Sequence, residues 1–150
     1  MLTAALDHDL RDAHEHSTLT RLLEELHLVF ELLVTHSVDP GIAIDEIRNF
    51  MALFQRELAA HIRYEEQSLF PQAAAALDDT DALDPILAQH RQIEQAVVAL
   101  AALVDAIDDE DGLDAERRAR LLHQVATVGL LFTVHDRAEH GLFEGLATDP

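Results

Sequence analysis

Two stretches of the sequence carry one pattern. His61-Ile62-Arg63-Tyr64-Glu65 and His135-Asp136-Arg137-Ala138-Glu139 both read His-x-Arg-x-Glu. On a helix, residues four apart differ by only about 40° of rotation, so each imidazole and its carboxylate leave the same face. Both pairs fall on an apolar stripe, after Phe54 and Leu58 in one case and after Val128, Leu131 and Phe132 in the other. A histidine and an acid on a core-facing stripe are costly to bury unless something satisfies both, and a divalent cation does. One such pair alone reads as an ordinary helix-face hydrogen bond. Two with equal spacing read as a metal site.

The chain has 10 His but one Tyr and no Trp, and two further histidines suit the same site. His90 lies one turn before Ile93 and Val97 on an apolar stripe. Among His8, His14, His16, His27 and His36, hairpin geometry selects one. Facing residues of an antiparallel hairpin lie equally far from its turn. With the turn at Asp39, His61 is 22 residues after it and His16 is 23 before it. His27 lies about 15 Å out of level at ~1.5 Å per residue, and His36 sits beside the loop. His14 points to the opposite side from His16, which leads the stripe Leu19, Leu23, Leu26. The same count fits less well for His90 and His135 across the loop 108–112. It fits worse between the second and third helices unless Pro71 ends the straight part of the second.

The candidate ligands are therefore His16, His61, Glu65, His90, His135 and Glu139. Imidazole and carboxylate without sulfur suit iron, manganese or zinc. Six groups exceed what one tetrahedral zinc takes, whereas two irons sharing bridging carboxylates use them all. Glu65 and Glu139 are placed to bridge. As two carboxylates facing each other in a poorly solvated space, they are expected to raise one another's pKa.

Four amphipathic segments position these residues. The first runs from about residue 3 to 35, with apolar residues three and four apart from Leu19 to Leu33. Asp39-Pro40 gives a cap and a first-turn proline for the second, with Asp45 as a later alternative cap. The second passes Ile47, Phe50, Met51, Phe54 and Leu58 to Leu69, where Pro71 must kink or end it. The Ala73–Ala76 run continues as helix beyond. After an acidic turn at 78–81, Asp84-Pro85 caps and starts the third, which runs to about Ile107. Asp114 caps the fourth, which fades near Leu146. The acidic stretches at 78–84 and 105–111 are solvated turns, because they lack the ligand spacing of a calcium loop. Short connections and no strand-like alternation predict an all-α, up-down-up-down antiparallel four-helix bundle.

Composition removes several classes. The formal charge is −19, from 29 acidic residues against 10 arginines, which disfavours nucleic acid and membrane surfaces as partners. With no Cys there is no disulfide, thiolate ligand or thiol catalysis. No signal peptide and no membrane-spanning run are apparent, so the expectation is a soluble, cytoplasmic protein, monomeric or a small homo-oligomer.

The order His, His-x-x-x-Glu, His, His-x-x-x-Glu resembles the hemerythrin-like, or HHE cation-binding, domain. Glu15-His16-x-x-Leu19 and His61-x-x-x-Glu65-Glu66-x-x-Leu69-Phe70-Pro71 strengthen the likeness, which covers roughly residues 10 to 145. The resemblance implies one hemerythrin-like domain over residues 1–150. It also implies two non-haem iron ions, oxo- or hydroxo-bridged, at the six positions. The ligand handled would be oxygen, nitric oxide or peroxide, in sensing, detoxification or iron and redox homeostasis. Oxygen-carrying members have a second histidine four residues along on the third helix; here Glu94 stands there, as a ligand, a partner of a ligand, or a solvated charge. His140 stands where the family often has a second acid. A ferritin-like diiron oxidase or iron store needs two Glu-x-x-His motifs, and only Glu24-x-x-His27 supplies one. A bundle whose metal is purely structural is the third reading.

Overall fold

The computed structural model describes the backbone of residues 2–35, 39–77, 81–107 and 114–148, and side chains from 16 to 144 within these, other than Val34 and Pro40. Its helices are α1 (Leu2–Val34), α2 (Pro40–Tyr64), α3 (Phe70–Leu77), α4 (Asp84–Asp105) and α5 (Ala115–Thr148). Among the described residues there is no strand, and the fold is an all-α four-helix bundle. α1 packs against α2 and α5, and α4 against α5 and α2. No helix among the described residues is long and apolar enough to cross a membrane.

Local chemistry sets the helix starts. The Asp39 side chain accepts from Gly41 N (2.9 Å) and Ile42 N (3.3 Å), satisfying two amides of the first turn of α2. Asp114 does the same for α5, accepting from Arg117 N at 2.7 Å. Asp84 was expected to cap α4 and does not. It lies inside the helix, because a 3₁₀ turn (Asp81–Leu83) already leads in and Leu83 holds the cap position without a side-chain bond. The acidic turn at 78–81, apart from Asp81, and the whole loop 108–112 lie outside the described residues.

Pro71 does not end the helix, one of its two expected effects. Just before it the helix widens into a π turn, Glu65–Leu69, closed by Phe70 N–H donating to the Glu65 carbonyl. A regular turn would drive the Pro71 ring against the Gln67 carbonyl and leave that carbonyl without its donor. One extra residue in the turn relieves the conflict, and the chain continues as α3. There Phe70 and Ala73 form a separate small core with Leu83 and Ile86.

The main core follows the stripes. Leu19, Leu22, Leu26 and Phe30 of α1 meet Ile44, Ile47, Phe54 and Leu58 of α2, Ile93, Val97 and Leu100 of α4, and Leu121, Val125, Val128 and Phe132 of α5. Val29, Phe50, Leu103 and Leu131, though part of the periodic pattern, lie at the edges and are only partly buried. Between helices, Arg48 Nη2 donates to Ile107 O at 3.1 Å, tying the start of α2 to the end of the α4 segment.

These positions predict contrasting costs. Ile47→Ala, at 0% exposure, should destabilise the fold by about 2–5 kcal/mol through lost burial and a cavity. Ile42→Ala, 65% exposed and five residues earlier on another face of the helix, should stay within about 0.5 kcal/mol. Urea unfolding of the two variants decides whether the stripe has been assigned to the correct face.

Candidate metal centre

Six polar side chains are buried among the described residues, and they are His16, His61, Glu65, His90, His135 and Glu139. Five of them are at most 1% exposed; His16, at 8%, is the one nearest solvent. His16 lies near the middle of α1, His61 near the end of α2, His90 in the first third of α4 and His135 past the middle of α5, and all meet in one cluster. The mismatch expected between the second and third helices has a physical origin in the π turn and α3. Nine residues separate His61 from Phe70, and nine separate Asp81 from His90, so the two are level once α3 is left out of the count.

Glu65 sits at the middle. Its Oε1 is 2.6 Å from His61 Nε2 and 3.5 Å from His16 Nε2. Its Oε2 is 2.8 Å from His90 Nε2 and 3.8 Å from His135 Nε2. The two oxygens of one carboxylate thus face two different pairs of imidazoles. Glu139 Oε2 lies between those pairs, 3.3 Å from His16 Nε2 and 3.6 Å from His135 Nε2. His16 and His61 bring their Nε2 atoms within 2.9 Å of each other. One donor atom each from His16, His61, Glu65, His135 and Glu139 fall within 4.8 Å of one another, and His90 joins at the far oxygen of Glu65.

These contacts have distance without direction. Both oxygens of Glu65, Nε2 of His90 and both nitrogens of His135 are buried and make no hydrogen bond of ordinary geometry among the described residues. Unsatisfied buried polar groups are rare because each costs about 1–3 kcal/mol or more. Converging lone pairs of nitrogen and oxygen are what a cation requires, so the donor set fits a metal.

Apolar rings close the cluster. Phe132 meets His16, His61 and His135 edge-on or tilted, with centroids 5.5, 6.4 and 6.3 Å away. Phe70 stacks on His90 at 5.4 Å with 18° between the planes.

Two carboxylates in contact with the cluster were not singled out from the sequence. Asp136 Oδ1 lies 2.6 Å from His16 Nδ1, and Glu66 Oε1 lies 3.0 Å from His90 Nδ1. Each orients an imidazole from its outer nitrogen. Their only sequence signal is adjacency, since each follows a member of a His-x-x-x-Glu motif. Glu94 does not reach the centre; it is exposed and accepts from Arg91 Nη1 at 3.1 Å. His140 faces solvent 3.1 Å from Glu144, and His27 pairs with Glu31 at 3.2 Å on the surface. His123 is exposed, Tyr64 is half-buried, and the side chains of His8, His14 and His36 lie outside the described residues.

The hemerythrin HHE cation-binding domain family matches this chain over residues 11–145. The chain belongs to that family. It is a metal-binding protein by that membership and by its buried His/Glu cluster. Comparison with curated proteins and with solved structures gave no match.

The electrostatics correct one expectation. Burial pushes the Glu65 carboxyl up, but the close imidazoles of His16, His61 and His90 outweigh it and hold Glu65 far below the usual carboxylate range. Three imidazoles around the carboxyl thus reverse the rise that two facing acids predict. Burial pushes His135 down to about 3, against the pull of Glu65, with the positive charge of its neighbouring imidazoles adding to the drop. His90 is also pulled down by burial, yet Glu65 and Glu66 outweigh this and raise it.

A pH window isolates His135 in the chelated protein. Held neutral in the fold, it contributes stability in full above its ordinary 6.5 and progressively less as pH falls toward 3. Depressed Glu65 begins to lose its contribution only below its ordinary 4.5, and raised His90 loses its own only as pH rises above 6.5. Between pH 6.5 and 4.5 the melting temperature of chelated wild type should therefore fall, and His135→Leu should flatten that slope. An unchanged slope in the variant would contradict the assignment.

Proposed function

We propose that the chain holds two iron ions, His16 and His61 binding one and His90 and His135 the other, with Glu65 and Glu139 shared between them. The centre would handle a small diatomic or peroxidic ligand, oxygen, nitric oxide or peroxide, in sensing, detoxification or iron and redox homeostasis. The single observation that carries this reading is the division of Glu65, whose two oxygens address separate imidazole pairs. One ion would use one pair and strand the other; two ions use both.

Four imidazoles and two carboxylates, with no sulfur, favour iron over a tetrahedral zinc. Such a pair of irons supplies electron transfer and open coordination positions for small ligands. The residues of this chain do the rest. Phe132 and Phe70 pack apolar rings against the imidazoles, which lowers the local dielectric and strengthens electrostatic interactions inside the cluster. Asp136 and Glu66 fix ring orientation from outside. Glu94 remains on the surface and stands where oxygen-carrying members have a further histidine, so the set has one imidazole fewer for the same two carboxylates. That balance favours ferric iron and supports sensing or removal over reversible oxygen carriage. The ferritin-like alternative loses its one motif, because His27 sits on the surface with Glu31.

Metal analysis with an absorption spectrum of aerobically purified protein tests the proposal. It should give about two irons per chain and charge-transfer absorption in the near ultraviolet. One zinc per chain, with no iron taken up on anaerobic reconstitution, would overturn it. In the same assay His16→Ala should lose iron, while His27→Ala should retain wild-type content. The reverse ranking would mean that α1 is shifted by about three turns relative to the site.

A further inference from the structure

Glu65 and Glu66 are consecutive, yet both reach the same imidazole. Glu65 Oε2 lies 2.8 Å from His90 Nε2, and Glu66 Oε1 lies 3.0 Å from His90 Nδ1. Neighbouring side chains on a regular helix diverge by about 100°, and here they close on opposite edges of one ring where the π turn begins. Phe70, which ends that turn, stacks on the ring face. His90 is thus fixed at both nitrogens and on one face by residues of a single helical turn.

The outer contact also fixes the proton. With Nδ1–H donating to the Glu66 carboxylate, the Nε2 lone pair points to the cluster, the form in which imidazole binds metal. Glu66 lies across the ring from Glu65, so it addresses His90 from outside and is not itself a ligand. Arg91, the next residue on α4, approaches both Glu66 oxygens at 3.1 and 3.2 Å through Nη2 and donates from Nη1 to Glu94. The Glu66 side chain is 25% exposed and that of Arg91 54%, while His90 is at 0%. A single carboxylate therefore divides its negative charge between a buried imidazole and a surface guanidinium.

We propose that Glu66 is a positioning residue that sets the donor strength of His90, and that Arg91 moderates it. More negative charge on Nδ1–H makes Nε2 a stronger donor and favours the ferric over the ferrous ion. Removing the charge of Glu66 weakens the donor; removing Arg91 releases Glu66 and strengthens it. The inference rests on the iron centre proposed above and concerns a control outside its ligands.

The test uses the full chain loaded with iron, in wild type, E66Q and R91Q. Release of iron to a chelator and a redox titration followed by absorbance are measured, with the melting temperature of each chelated form. E66Q keeps an acceptor oxygen but loses the charge. It should bind iron about 10–100-fold more weakly and raise the reduction potential. Each tenfold change in the ferric-to-ferrous affinity ratio corresponds to about 59 mV. R91Q should do the opposite, with slower release and a lower potential. Opposite signs are the signature, because a purely structural pair would change melting temperature and leave the potential alone. Equal potentials in all three proteins, or shifts in the same direction, would overturn the proposal. If E66Q does not fold, R91Q decides alone: a lower potential supports it and an unchanged one refutes it. Wild type that takes up no iron would overturn the iron centre, and this inference with it. Loaded wild type with unresponsive variants would overturn this inference only.

Discussion

A carboxylate with no access to water is the constraint on which the rest of this bundle depends. Burying an ionised group without compensation is prohibitive, so Glu65 must find its partners inside the protein. It finds imidazoles from all four arms of the bundle, and they can meet it only if every helix delivers its histidine to one level. Helix starts at Asp39 and Asp114, and the apolar stripes that fix rotation, therefore serve one requirement. A slip of one turn in any helix would move a donor by about 5.4 Å and leave buried lone pairs facing nothing.

The second helical arm meets this requirement by departing from regularity. Pro71 forbids an ordinary turn over Glu65–Leu69, and the wider π turn accepts it without ending the helix. The same turn puts Glu65 into the cluster and Glu66 at its rim, and it presents Phe70 to the face of His90. Beyond it, α3 packs in its own small core. The irregularity thus lies at the site itself, as π turns commonly do.

Charge is graded from inside to outside. Four imidazoles meet two carboxylates at the centre, Asp136 and Glu66 touch the outer nitrogens of two rings, and Arg91 with Glu94 reaches solvent. Because His16 and His90 each have a carboxylate behind them, their orientation depends on side chains outside the six. The contacts differ in exposure: the His16 ring and Asp136 are 10% and 49% exposed, the His90 ring and Glu66 0% and 25%, so solvent reaches the first pair more readily.

Much of this was legible in the sequence. The three-and-four spacing of Leu19 to Phe30 and of Ile47 to Leu58 gave the buried faces, because rotation about a helix is a property of spacing alone. The same rule marked His61 with Glu65 and His135 with Glu139 as pairs, and hairpin levels separated His16 from His27. What lies across the bundle was not legible. That Asp136 turns toward His16, that Glu66 reaches His90, and that Glu94 pairs with Arg91 at the surface depend on which faces of different helices adjoin. The π turn was hidden as well, since proline declares a conflict with the regular turn without saying how the chain resolves it. The electrostatics went the same way. Two acids on core stripes predict mutual repulsion, and only the packed arrangement, with three imidazoles around Glu65, reverses the sign. Sequence spacing determined which residues point inward; tertiary packing decided which of them touch, because contacts between helices depend on height and rotation together.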